Sequence, residues 1–137
     1  MATDIELFNA HQEDLRRRAT SLANSIFVIS GGTLTLSITI FTSGSAPKLS
    51  QDLAPVLKFS WVGLFLAIVI AVIALTTIIA RDYAFGERWR RAIKSRSNKD
   101  IGSPVIIEII LWAMALASLM CFLSGMLGQA YVAYNLI

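Results

Sequence analysis

The chain has a single histidine, His11, and a single cysteine, Cys121. One imidazole cannot build a bis-histidine haem site or a His-based metal cluster. It also cannot serve a Ser-His pair inside an apolar segment when it lies in the polar N-terminal stretch. One thiol forms no intrachain disulfide, and no N-x-S/T sequon occurs, so nothing points to a stapled or glycosylated exterior. Charge is scarce as well: Asp, Glu, Lys and Arg make up 15% of the residues, and none falls between residues 59 and 80. No glycine-rich phosphate loop, no pair of acids within an apolar run and no duplicated halves can be found. These absences disfavour a self-sufficient membrane enzyme or a proton-coupled transporter. The expectation is a non-enzymatic chain with no catalytic residue, no cofactor, no metal and no nucleic-acid partner.

What is abundant is apolar surface: 55% hydrophobic residues and a mean hydropathy of +0.65. Residues 59–80, FSWVGLFLAIVIAVIALTTIIA, would cover about 30 Å as a helix, and hydrocarbon forces a spanning backbone to satisfy its own hydrogen bonds. Residues 105–127 hold one charge, Glu108, and residues 26–42 hold none. The expected fold class is therefore an all-α integral membrane protein with three transmembrane helices. The spans are set at 24–43, 57–80 and 104–128. They are joined by an external loop at 44–56 and a basic cytoplasmic segment at 81–103, and followed by an external tail at 129–137.

Ten of the twelve Lys and Arg residues fall on one side of these spans: Arg16, Arg17 and Arg18 before the first, and Arg81, Arg88, Arg90, Arg91, Lys94, Arg96 and Lys99 between the second and third. The positive-inside rule then places the N-terminus in the cytoplasm and the C-terminus outside. The polar start argues against a cleaved signal peptide, neither end carries a lipidation motif, and a bacterial inner membrane is the simplest home. Residues 1–23 read as a cytoplasmic amphipathic helix that extends the first span. Thr3 and Glu6 suit a capping box, and Ile5, Phe8, Leu15 and Leu22 fall at heptad-compatible positions, with Gln12 and Ala19 between them. That stripe either lies along the membrane surface or packs on the basic segment of its own chain, or it is a pairing face between subunits.

The first span alternates as TLTLSITI, but a lone strand would leave unpaired edges in hydrocarbon, so it is read as a helix. At 100° per residue its hydroxyls form two candidate pore or polar packing faces: Ser30, Thr33 and Ser37 on one side, Thr35, Thr39 and Thr42 on the other. Gly31 and Gly32 offer a close approach or a kink. Small residues at i+4 mark candidate helix-packing ridges, Gly63, Ala67 and Ala71 on the second span and Ala113, Ala117, Cys121 and Gly125 on the third. Glu108 either snorkels to the cytoplasmic surface or pairs with Arg81, or else forms a vestibule acid at a pore mouth. Phe85, Trp89 and Ile93 recur at i+4 on a basic helix at the cytoplasmic surface, attracted to anionic headgroups of the bilayer. Ser103 and Pro104 suit the start of the third helix, and Trp61, Tyr131 and Tyr134 suit an aromatic belt.

Two function classes remain. One is a self-assembling homo-oligomer, a small channel or pore-forming effector. The other is an accessory subunit of a larger respiratory, photosynthetic, transport or secretion complex. A phage holin is a weaker third, because its expected orientation is opposite. Orientation has a direct test in a Cys121→Ala background. A membrane-impermeant maleimide is expected to label Gly44→Cys in intact cells and Asn98→Cys only after the membrane is opened; the reverse pattern would invert the topology.

Overall fold

The computed structural model describes residues 3–95 and 105–137. It contains three α-helices and, among the described residues, no strand: α1 (Asp4–Thr42), α2 (Leu53–Ser95) and α3 (Val105–Leu136). All three are long and apolar enough to cross a membrane.

Local signals explain where the helices start. The Thr3 side chain accepts from Glu6 N at 3.3 Å, while the Glu6 carboxylate accepts from Thr3 N at 2.8 Å. This capping box satisfies two of the amide donors that a helix start leaves unpaired. At the start of α2 the Leu53 and Ala54 amides donate to the Ser50 carbonyl, and Pro55 occupies the first turn, where its missing N–H costs little. The start proposed for the third helix at Ser103 and Pro104 lies outside the described residues, as do Arg96 and Lys99.

The helices are longer than their spans. α1 has 39 residues and α2 has 43, or about 58 and 64 Å at 1.5 Å per residue, against a hydrocarbon core of about 30 Å. Neither is broken, so the basic stretch after residue 80 continues α2 along its own axis instead of forming a separate surface-lying helix. α1 runs uninterrupted through Gly31 and Gly32, and a Cβ at either would meet nothing within 4 Å, so among the described residues no neighbouring backbone approaches there. The stretch expected as a tail after residue 128 is likewise helix, to Leu136.

α2 is the central helix, with α3 packed closely along it, α1 on its other flank, and α1 scarcely touching α3. Its buried positions Leu53, Leu57, Ser60, Leu64, Ala67 and Ala71 alternate by four and three. On α3, buried Ser118, Gly125 and Val132 repeat every seven. On α1, Ile26, Ser30 and Ser37 follow the same rule. Such 3-4 seams belong to helices that cross at a shallow left-handed angle.

Small residues set how near α2 and α3 come. A Cβ on Gly125 would stand 2.8 Å from Leu64 Cγ and 3.0 Å from Leu64 N, and one on Gly128 would run into the Ser60 hydroxyl. Gly63, Ala67 and Ala71 lie buried in the same seam. The second ridge is used only in part: Gly125 is buried and Cys121 half-buried, while Ala113 and Ala117 stand exposed. An i+4 row advances 40° per step on a 100° helix, so it leaves a straight seam within three steps.

The exterior is apolar over most of its area, with Phe59, Ile79, Ile106, Trp112, Met120 and Leu127 each more than 60% exposed. A surface of this kind suits hydrocarbon and not water. Gly125→Ala is expected to lower stability by about 1–3 kcal/mol, as overpacking of a tight seam does. Gly31→Ala should be neutral or stabilising by up to about 1 kcal/mol, since its Cβ meets only open space. Unfolding titrations in mixed micelles would read both, and equal effects would contradict the packing described.

Candidate functional site

Polar side chains inside an apolar bundle are costly unless partnered, so their positions reveal what the fold has organised. Four serines are buried: Ser30, Ser37, Ser60 and Ser118. Ser60 turns its hydroxyl back to the Val56 carbonyl at 2.7 Å, the usual way for a helix to absorb a hydroxyl. Ser118 reaches across the seam and donates to the Ala67 carbonyl on α2 at 2.9 Å. Ser30 Oγ is buried without a partner among the described residues.

Ser37 is the centre of the arrangement. The Trp61 indole Nε1–H on α2 donates to Ser37 Oγ at 2.8 Å, and Ser37 donates to Gln129 Oε1 on α3 at 3.0 Å. One residue from each helix therefore meets at a point near the end that carries the α1–α2 link. This chain joins α1 to α3, which otherwise hardly touch. The Gln129 Nε2 is buried with no acceptor among the described residues. Whichever way the amide is turned, Ser37 can satisfy only one half of it.

Trp61 thus directs its polar edge into the bundle, which corrects the expectation that it serves only in an outer aromatic belt. Tyr131 and Tyr134 do face outward, 56% and 82% exposed. Sequence reasoning missed Gln129 because it fell beyond the expected end of the third span. The signal was present: Ser118, Gly125 and Val132 mark a heptad face, and Gln129 lies 40° from the middle of it.

The two hydroxyl faces of α1 separate. Ser30 and Ser37 are buried and Thr33 half-buried on the side toward α2. Thr35, Thr39 and Thr42 are exposed on the opposite side, where Thr39 donates to the Thr35 carbonyl at 2.8 Å and Thr42 to that of Ile38 at 2.7 Å. Continued toward the N-terminus, this outward face is Gly32, Gly31, Val28, Asn24, Ser21 and Arg17. Apart from Val28 it is small or polar throughout.

At the other end of the bundle the charges gather. Arg16 of α1 meets Asp82 of α2 at 3.6 Å, and Arg81, its side chain 15% exposed, turns to the same Asp82 at 3.4 Å. Glu108 is exposed and, among the described residues, makes no ion pair; Arg81 pairs with its chain neighbour and not with Glu108 as expected. Carried along α2 from the Gly63–Gly125 and Ser60–Gly128 contacts, the antiparallel register sets Glu108 level with Ala80 and Arg81. Glu13–Arg17, Asp14–Arg18 and Glu87 with Arg90 and Arg91 are pairs within single helices. All are exposed, so each contributes at most about 1 kcal/mol.

The Trp61–Ser37–Gln129 group contains no ionisable side chain. It can fix helix rotation and hold one donor in reserve; it cannot move a proton at neutral pH. No group of three or more His, Cys, Asp or Glu able to hold a metal occurs among the described residues. Comparison with protein-family models, curated proteins and solved structures finds no match for this chain.

Ser37→Ala is expected to cost about 1–2 kcal/mol, because it strands both the indole N–H and the Gln129 amide. Ser30→Ala, which removes an unpartnered hydroxyl, should be neutral or mildly stabilising. Equal losses for the two variants in an unfolding titration would show that the three-helix contact contributes nothing.

Proposed function

We propose that this chain is a non-enzymatic, multi-pass membrane protein that assembles with copies of itself through α1. The observation that carries this reading is the outward face of α1. From Asn24 through Gly31, Gly32, Thr35 and Thr39 to Thr42 it is small or polar apart from Val28, and exposed apart from half-buried Gly31, on the side opposite α2. A helix face that meets only lipid gains nothing from glycines or an asparagine. A face that meets another helix gains close backbone approach and interhelical hydrogen bonds. Both glycines have open space above them.

The heptad stripe supports the same reading. Ile5, Phe8, Leu15 and Leu22 are 72%, 61%, 44% and 53% exposed. An unbroken α1 cannot lay this stripe flat on a bilayer while its later residues cross it. Asp4, Glu6, Glu13 and Asp14 beside it would also be repelled by anionic headgroups. At 100° per residue the stripe lies on the side of α1 opposite the small-residue face, so it offers a second, separate surface for pairing between subunits.

In such an oligomer a channel or pore-forming effector would be lined by Thr35, Thr39 and Thr42, because Ser30 and Ser37 are used inside the bundle. Glu108 then stands at the outer side of the assembly, not in its vestibule. The distribution of Lys and Arg supports an N-in, C-out orientation, and a bacterial inner membrane is the simplest home for it.

The reading that the chain is an accessory subunit of a larger complex is favoured by α3. Only 6% of its most apolar stretch is buried, and Ala113 and Ala117 lie on an exposed side. The two readings separate on native mass in nanodiscs drawn gently from the source membrane. A discrete homo-oligomer that Phe8→Gln with Leu15→Gln shifts to smaller species is the expected result. Co-isolation with larger proteins at a fixed ratio, weakened by Ala117→Leu, would establish the accessory role instead. If the oligomer conducts, Thr35→Leu and Thr39→Leu should each change conductance with insertion unaltered; unchanged currents would remove the channel.

A further inference from the structure

Where α1 leaves the charged end of the bundle, its outward side forms an open groove of about 710 Å³ lined by Arg17, Thr20, Ser21, Asn24, Ser25, Val28 and Ile29. The order of these residues along the helix is chemical as well as spatial. A cation comes first, then three hydroxyls and an amide, then two branched aliphatics, 68% and 46% exposed. The distance from Arg17 to Ile29 is about 18 Å at 1.5 Å per residue.

Depth makes the groove unusual. The register that pairs Arg16 with Asp82 and Ser37 with Trp61 sets Thr20–Ser25 beside residues 73–78 of α2, IALTTI. There the two α2 threonines have already turned their hydroxyls to the Val72 and Ile73 carbonyls, each at 2.8 Å. On α1, Ser25 does the same to the Ser21 carbonyl at 2.9 Å. Among the described residues, the Thr20 and Ser21 hydroxyls and the Asn24 amide find no acceptor. These donors face outward at a level where the adjacent helix is apolar, which favours an occupant with acceptor oxygens.

We propose that this groove binds one anionic phospholipid of the leaflet at the charged end. The phosphate sits against Arg17, with Thr20, Ser21 and Asn24 donating to its oxygens and to the glycerol ester carbonyls. The start of one acyl chain lies on Val28 and Ile29. Arg17 holds Glu13 at only 3.6 Å with both side chains more than 75% exposed, a contact weak enough for a phosphate diester to displace. The site differs from the diffuse attraction of the basic α2 arm, because it is on another helix and combines one charge with oriented neutral donors. It requires insertion in a bilayer but not self-assembly; because Asn24 and Val28 also belong to the face assigned to self-assembly, lipid and a second copy compete for that part of α1, and the disulfide arm of the test below tells them apart.

The test uses the full chain in nanodiscs of phosphatidylcholine with a minority of phosphatidylglycerol, ejected intact for native mass spectrometry. One phosphatidylglycerol per chain is expected to survive activation. Arg17→Gln with Asn24→Leu should reduce its retention at least tenfold, whereas Arg90→Gln on the α2 arm leaves it unchanged. All three positions are exposed, and matching thermal unfolding of the variants confirms that the bundle is intact. Equal retention in the native chain and the double variant would overturn the site. Equal loss in Arg90→Gln would replace it with diffuse attraction. Complete intersubunit disulfide formation by Asn24→Cys in a Cys121→Ala background would show that a second copy fills the groove.

Discussion

The closeness of α2 to α3 governs the rest of the molecule. With Leu64 against Gly125 and Ser60 against Gly128, the backbones come near enough for a serine on one helix, Ser118, to reach a carbonyl on the other, Ala67. Dispersion falls off steeply with separation, and in an apolar solvent there is little hydrophobic force to compensate for a gap. The pair therefore depends on side chains that are absent. Once α3 is held in this rotation, Gln129 is turned inward, and the Ser37 hydroxyl of α1, which already accepts from Trp61 of α2, gains an acceptor on α3.

α1 is attached more lightly. It lies on α2 along a seam that includes an unpartnered serine, and its link to α3 is a single hydroxyl between an indole and an amide. Each such bond is worth about 0.6–1.7 kcal/mol where helices meet in lipid. Their value here is more one of direction than of strength. By fixing which side of α1 faces α2, they determine that the threonines, the two glycines and the groove at Arg17 face away. The surface left for lipid or for other subunits is thus decided by polar contacts inside the bundle.

The length of α1 and α2 adds a second consequence. α1 and α2 are about twice as long as a bilayer core is thick, enough for their charged arms to reach well past its edge when they cross one, and the capping box at Thr3 keeps the far end of α1 wound. The acidic start of α1 and the basic end of α2 come out at the same end of the bundle, tied near their bases by Arg16 and Asp82. Their exposed apolar side chains are set apart from the lipid-suited belt, so the two kinds of apolar surface call for different coverings.

Much was legible in the chain itself. Three apolar helices, the cap at Thr3 and Glu6, the long entry into the first span and the continuation of helix past residue 80 all follow from local composition and spacing. Backbone saturation in hydrocarbon admits few other structures. The small-residue row Gly63, Ala67 and Ala71 could be read as well, since it is short enough to stay within one seam. What sequence could not decide was rotation. An i+4 row winds by 40° per step, so Ala113 and Ala117 leave the seam that Gly125 occupies, and no one-dimensional pattern says where along the row the neighbouring helix lies. Two hydroxyl faces on α1 are equivalent on a helical wheel. Only the meeting of Ser37 with Trp61 and Gln129, which lie 24 and 92 residues away, makes one face internal and the other external. Composition and period fix which segments are helices because those forces act within a helix. Contacts between helices depend on a partner's position, which is set by tertiary packing.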